Sequence, residues 1–334
     1  MLIFFAVFLM AQDKGPEWLS GESKKYPKKD YFVGVGIGHG LDSAKADAAA
    51  AITKVFGATV QQTSVDVNTE KTTKKGSKLL RTSEVSTETE TKVTSSEKIE
   101  GIEIAETWLN EKTKNYYALA VLNKTKMRQI LSAQILDLEG DIHDQLEIGK
   151  KTSSNIEKVR SFSTALRFWD KKVELVNRKK IVDWTFIPDL ISGDSKVKIR
   201  KMQDDAINRI VFVVDAARPG LNSVVSDRIT KLGFKVIQSA PIQPDKTLTV
   251  ITVKCSDEIS PFDRGNPSWK FYNWKASAQM NQLWTSSGSF ATISEEGESS
   301  HLSDATAKSK AYIDADRTLA LSIEKRIRQN IFGE

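Results

Sequence analysis

The chain has 334 residues, a net charge of +6 and a hydrophobic content of 40%. That length is enough for two domains with cores of ordinary size, and the composition is that of a folded protein rather than a disordered one. Positive and negative residues are interleaved almost everywhere, so the mild basic excess identifies no anionic partner. If the chain is exported, we expect no nucleic acid partner.

Residues 1–11 form a continuous apolar run that stops at Gln12-Asp13-Lys14. The run is too short to span a bilayer, which needs about 20 apolar residues, but it has the length of the hydrophobic region of a signal peptide. The basic residues that usually precede such a region are missing, which fits a start codon further upstream. We therefore expect residues 1–12 to be a signal peptide; a buried strand or an N-terminal anchor is the alternative.

The first predicted domain, residues 13–125, begins with a strand and a helix. Tyr31 to Gly38 has the pattern of a strand, and the alanine-rich stretch from Leu41 to Phe56 predicts a helix that closes at Gly57.

Glycines at 34, 36, 38 and 40 lie between this strand and this helix, where a phosphate-binding turn could form. Their spacing does not match the G-x-G-x-x-G fingerprint, and no P-loop Lys-Ser/Thr follows. The pattern therefore favours a structural role, in which small residues allow the helix to pack close to the strand.

Residues 58–97 are rich in Thr, Ser, Val, Glu and Lys. Two arms, Thr59 to Thr73 and Arg81 to Thr94, flank a Gly-containing break, and β-branched residues favour strands, so the pattern predicts a long β-hairpin. Both faces would be polar, which favours pairing with another chain; a disordered polar loop is the alternative. The candidate interaction residues in this hairpin are Thr59, Val65, Val67, Val85 and Val93.

Two further strands, Ile102 to Trp108 and Tyr116 to Leu122, complete a first domain of α+β type. Apolar residues then recur at helical spacing from Lys126 to Lys180, with a break between Gly149 and Ser154. Residues 126–180 are therefore predicted to form a helical hairpin.

The second predicted domain, residues 181–334, is again α+β. Its strands are expected at 209–215, 234–237, 247–255, 269–280 and 284–293, and its helices at 222–232 and 304–330. The predicted fold class is thus α+β, with two α+β domains that have antiparallel-rich sheets and are joined by the helical hairpin.

No set of residues has the spacing of a catalytic or metal site. His39, His143 and His301 are far apart in sequence and are expected in a turn and on the surface. Cys255 is expected to be a small core residue, and no nucleophile elbow is present. We therefore expect no catalytic residues, no cofactor, no metal and no enzymatic activity.

Aromatic and basic residues alternate between Trp269 and Lys275. Such a pattern can bind sugars, and the candidate ligand-binding residues are Trp269, Tyr272, Trp274 and Trp284. The same alternation is equally typical of a well-packed sheet.

The sequence also resembles a known family. The residues that carry the resemblance are Pro16-Glu17-Trp18-Leu19, the strand Tyr31 to Gly36, the helix Ser43 to Ile52 and the Thr/Ser/Val-rich stretch that follows. Residues 16–125 are similar to the twenty-kilodalton bacterial surface lipoprotein (Lpp-twenty) family and to the N-terminal domain of flagellar assembly protein T. The resemblance implies an exported, non-catalytic envelope protein, often associated with the outer membrane and able to assemble into larger structures.

Family lipoproteins carry a lipobox cysteine, whereas this chain has Ala11-Gln12-Asp13, so we expect a periplasmic or outer-membrane-associated protein that is not lipidated. The expected function is structural assembly or protein–protein interaction in the cell envelope. The expected partners are further copies of the chain or other envelope proteins, with peripheral contact to the outer membrane or cell wall. A binding module for a glycan or an anionic polymer is the alternative.

Overall fold

The computed structural model describes residues 15–73, 99–183, 185–186, 196–243, 245, 247–265, 268–284 and 289–334, without the side chains of 58–73. The chain divides into two compact units: Met1–Asp137 with Lys172–Pro188, and Leu138–Lys171 with Asp189–Glu334. The first is called the N-terminal unit and the second the C-terminal unit. Within the described ranges, no helix is both long and apolar enough to cross a membrane.

The N-terminal unit is built on a three-stranded antiparallel sheet. The elements are β1 (Tyr31–Gly38), α1 (Leu41–Thr73), β2 (Ile102–Asn110) and β3 (Asn115–Asn123), and the strand order is β1-β3-β2. Asn110 shapes the turn between β2 and β3, because its side-chain oxygen accepts hydrogen bonds from the backbone N–H groups of Lys112 and Thr113. The strands predicted at Tyr31 to Gly38, Ile102 to Trp108 and Tyr116 to Leu122 are confirmed.

Helix α1 lies directly on the backbone of β1. A Cβ atom added to Gly36 would lie 2.1 Å from the backbone nitrogen of Ala48, and one added to Gly34 would lie 2.5 Å from the Ala48 carbonyl oxygen. Only glycine permits this approach. The structural role predicted for these glycines is confirmed, since the helix occupies the space that a phosphate would need.

The other face of the same sheet is covered by the segment that precedes β1. Trp18, in the turn Glu17–Ser20, is 4% exposed and packs with Leu119 and Val121. Its indole Nε1 donates a 2.9 Å hydrogen bond to Glu106. Both faces of the three-stranded sheet are therefore covered by the chain itself.

The predicted hairpin at 58–97 is wrong in its first arm, because α1 does not end at Gly57 but continues to Thr73. The β-propensity of Thr and Val is a weak preference that context overrides, and a helix that has already formed extends easily. The remainder of the hairpin, including Val85 and Val93, lies outside the described residues.

Two long helices follow, α2 (Lys124–Lys151) and α3 (Asn155–Val182). The predicted helical segment and its break are confirmed. Next to the break, an added Cβ at Gly149 would lie 2.5 Å from the Phe162 ring, so the absence of a side chain lets the ring pack against the backbone of α2. The boundaries between the two units pass through both helices, at Asp137 and Lys172.

The C-terminal unit contains a five-stranded mixed sheet and three further helices. The elements are α4 (Lys196–Ile207), β4 (Ile210–Ala216), α5 (Pro219–Lys231), β5 (Lys235–Ile237), β6 (Thr249–Phe262), β7 (Lys270–Gln282), β8 (Ser289–His301) and α6 (Asp304–Ile327), followed by a π-helical turn at Arg328–Phe332. The strand order is β5-β4-β6-β7-β8. Strand β4 is parallel to β5 and β6, and the β6–β7 and β7–β8 pairs are antiparallel.

The core of this unit lies between the sheet and helices α5 and α6. On α6 the buried stripe includes Ala311, Ala315, Leu319 and Ile323, each 0% exposed, as the sequence pattern predicts. Helix α4 is an element that the sequence pattern did not predict, and β6 and β8 are longer than expected. The overall class is α+β, as predicted.

Candidate functional site

The interaction residues predicted on the hairpin are not in strands where the structure describes them. Thr59, Val65 and Val67 lie in α1, and Val85 and Val93 lie outside the described residues. Pairing of strand edges through the first arm is therefore not available, although a role of these residues in protein–protein contact stays a prediction.

The four aromatic residues predicted to bind a ligand do not form one surface. Tyr272 and Trp274 are each 6% exposed and point into the core under α6, whereas Trp269 and Trp284 are 42% and 43% exposed. The two exposed residues flank opposite ends of β7, whose twelve residue steps of about 3.3 Å span about 40 Å. The packed-sheet alternative is thus correct for Tyr272 and Trp274.

Trp274 is held in the core by a glycine on the neighbouring strand. Gly297 lies directly opposite Trp274 in the β7–β8 register, and a Cβ added there would lie 2.4 Å from the indole ring. An aromatic ring that covers a glycine on the adjacent strand is a recognised way of stabilising a sheet. Trp274 is therefore a structural residue.

The opposite face of β6, β7 and β8 is polar. Its side chains lie in rows across the strands, such as Ser256–Ser277–Ser294 and Glu258–Lys275–Glu296. Glu258, Ser260, Asn273, Lys275, Glu296 and Glu298 line an open cavity of about 540 Å³ on this face. This surface is called the polar face below.

The polar face ends in an aromatic group where β6 turns into β7. The rings of Phe262 and Phe271 lie 5.6 Å apart, and the Arg264 guanidinium lies over both. Arg264 also forms an ion pair with Glu298. Trp269 and the two phenylalanines line a second open cavity of about 460 Å³. This part of the molecule is called the open end of the sheet.

A buried ionic cluster joins three elements of the C-terminal unit. Arg218, immediately before α5, donates hydrogen bonds of 2.7 Å to Asp257 on β6 and 2.6 Å to Asp316 on α6. Its guanidinium lies 4.1 Å from the centre of the Tyr312 ring. The two carboxylate side chains are only 3% and 11% exposed.

Burial raises the pKa of the Asp316 carboxyl above its ordinary value, although Arg218 opposes the shift. One cation shared by two buried carboxylates ties α5, β6 and α6 together, which is a structural role. One feature of the sequence could have indicated this cluster: Asp257 and Asp316 are acids on otherwise apolar faces of a strand and a helix.

Cys255 lies on β6 and is 6% exposed, so the prediction of a core residue is confirmed. Burial, with a contribution from Asp215, raises the pKa of its thiol to about 12. His39, His143 and His301 are exposed, as expected. Across the ranges that the structure describes, no group of His, Cys, Asp and Glu side chains is placed to hold a metal ion.

Comparison with known proteins gives a family match in the N-terminal third of the chain. Residues 16–123 match the family model of the LPP20 lipoproteins, which confirms the resemblance to this family. The match indicates a protein of the cell envelope. No curated protein matches the chain.

Among the solved structures that are similar to the chain, three illustrate the low sequence identity. A secreted protein of Helicobacter pylori is 12% identical, with 91% of this chain and 100% of that chain covered and a TM-score of 0.43. A neuraminyllactose-binding hemagglutinin homolog of Helicobacter pylori is also 12% identical, with coverages of 36% and 83% and a TM-score of 0.28. A minor lipoprotein of Acinetobacter baumannii is 11% identical, with coverages of 37% and 90% and a TM-score of 0.24.

Proposed function

We propose that this chain is an exported protein of the bacterial cell envelope that acts by binding and assembly rather than by catalysis. The observation that carries the proposal is the match of residues 16–123 to the LPP20 lipoproteins. The matched region supports a structural role, because its glycines serve helix packing and both faces of its sheet are covered by the chain itself.

For localisation, we propose the periplasm or association with the outer membrane. Lipid attachment to Cys255 is not expected, since this thiol is buried in β6 and remains protonated near neutral pH. We propose that contact with the membrane or the cell wall is peripheral.

For assembly, the candidate surface is the distal part of α1. The described buried stripe of the helix consists of Ala44, Ala48, Ile52 and Phe56. The helix continues from residue 58 to 73, a length of about 24 Å at 1.5 Å per residue. We propose that this part of α1, with Thr59, Val65 and Val67, contacts another copy of the chain or another envelope protein, in place of the strand pairing expected from the sequence.

Cell fractionation tests the localisation. The full chain is expressed with a C-terminal tag in a Gram-negative host, and periplasmic, membrane and cytoplasmic fractions are probed with the tag. The proposal expects the protein in the periplasmic or outer-membrane fraction, and extraction of the membrane-bound part by high salt or carbonate. A protein confined to the cytoplasm would contradict it.

A glycan-binding role is the second candidate, and a specific observation favours it. Trp269 remains exposed beside an open cavity at the end of the sheet, although two of the aromatic residues first considered are buried.

A further inference from the structure

One indole ring at the open end of the sheet is exposed to solvent. Trp269 is 42% exposed, and within the described residues no other ring and no cation stacks on it. The neighbouring rings of Phe262 and Phe271 are already covered by Arg264. Trp269 is therefore the aromatic surface at this end that is available to a ligand.

The cavity beside Trp269 combines an apolar wall with polar groups. Pro261, Phe262 and Phe271 form the wall, and Asp263, Lys270 and Asp304 supply charged groups. A site with an aromatic surface and a few hydrogen-bonding groups suits a ligand that has both apolar and polar faces.

The polar face continues from this cavity along β6, β7 and β8. Ser260, Asn273 and Glu298 lie side by side in the register of the three strands. On the same face, the next row contains Phe262 and Phe271. Hydroxyl, amide and carboxylate groups in such a row can donate to and accept from the hydroxyl groups of a sugar. The two cavities together, about 460 and 540 Å³, provide space for several sugar rings.

The charge of the surface decides between classes of glycan. Five carboxylates and three cationic groups give it a net charge of −2. An anionic polymer would be repelled, whereas a neutral or positively charged ligand would not. The acids are Glu258, Asp263, Glu296, Glu298 and Asp304, and the bases are Arg264, Lys270 and Lys275.

We propose that the open end of the sheet binds a short neutral or amino-sugar glycan. Trp269 stacks on the apolar face of one sugar ring, and Ser260 and Asn273 form hydrogen bonds to the next. The proposal gives a location and a ligand class to the second candidate function, and it depends on neither the assembly surface on α1 nor the cellular location.

The test is binding of trisaccharides to the full chain by isothermal titration calorimetry. The probes are N-acetylglucosamine trimer as the neutral glycan, glucosamine trimer as the amino-sugar glycan and galacturonic acid trimer as the anionic one. The proposal expects the first or second probe to bind more tightly than the third.

Substitutions locate the binding site. Trp269→Ala is expected to weaken binding about threefold to tenfold, the range that one aromatic contact provides, and Trp269→Phe should retain part of the affinity. Trp284→Ala is the matched control, because Trp284 is equally exposed but lies at the other end of β7. Circular dichroism shows whether each variant folds.

Three results would overturn the proposal: no binding of the neutral or amino-sugar trimer at 10 mM, tighter binding of the anionic trimer, or equal losses in the Trp269→Ala and Trp284→Ala variants. None of these results bears on the fractionation of the protein, so the two proposals fail separately.

Discussion

Removing Arg218 should destabilise the C-terminal unit strongly. The substitution Arg218→Ala leaves Asp257 and Asp316 without their shared cation, although their side chains are only 3% and 11% exposed. Breaking a buried ion pair by removing one partner costs about 3–5 kcal/mol. With a urea dependence of roughly 2 kcal/mol per molar for a unit of this size, the unfolding midpoint should fall by about 1.5–2.5 M.

The assay is urea unfolding, with hydrogen exchange of β6 and α6 peptides to assign the transition to the C-terminal unit. Lys231→Ala is the control, because Lys231 and Asp227 form an exposed pair of side chains on α5 with a 2.7 Å contact. Loss of such a pair costs about 0.3–0.5 kcal/mol. The loss of stability caused by Arg218→Ala should also become smaller at acidic pH, because the unpaired carboxylates become protonated. A midpoint within 0.3 M of the control would refute the role assigned to Arg218.

Three other predictions follow from the packing and the titration of buried groups. Gly36→Ala should destabilise the N-terminal unit by more than about 2 kcal/mol, because its Cβ would overlap the α1 backbone. Gly57→Ala, with open space around it, should instead stabilise α1 by about 0.5–1 kcal/mol. Thermal unfolding of the two variants measures both changes in stability. Cys255 should react with a thiol reagent only in denaturant, and modification of the native protein within minutes would contradict its burial. Burial in the folded state raises the pKa of Asp316 above its ordinary value of 3.8, so the folded state keeps a proton that the unfolded state has released, and stability is lost as the pH rises through the folded pKa. Relative to Asp316→Asn, the wild type should therefore lose stability as the pH rises above about 4, and a difference that does not change with pH would exclude the shift.

Local patterns were sufficient for much of the fold. The strand Tyr31–Gly38, the break between α2 and α3 and the apolar stripe of α6 all follow from periodicity and from residues that stop helices. The packing role of the glycines could also be predicted, because their spacing fitted no phosphate-binding motif.

Helix α1 shows where local preference fails. Its second half contains β-branched residues that favour strands when considered alone, but it continues a helix whose first half is anchored on the glycines of β1. The contact of the first half with β1 cannot be inferred from the sequence of the second half alone.

The candidate site depended on contacts that are distant in sequence. Residues two positions apart, such as Tyr272 and Trp274, lie on one face of a strand, but only the packing of α6 on that face determines that it is buried. The cluster around Arg218 joins residues 39 and 98 positions away. Spacing along the chain could not have brought these groups together.

The most direct test of assembly is the mass of the exported protein, purified from the envelope or periplasmic fraction and measured by light scattering at several concentrations. We expect a dimer or a larger assembly, reduced in mass by Val65→Asp or Val67→Asp on α1. Leu136→Asp on α2, where Leu136 is 67% exposed, should leave the mass unchanged. A monomer at all concentrations, with no envelope protein retained alongside it, would contradict the proposal that the chain acts by assembly.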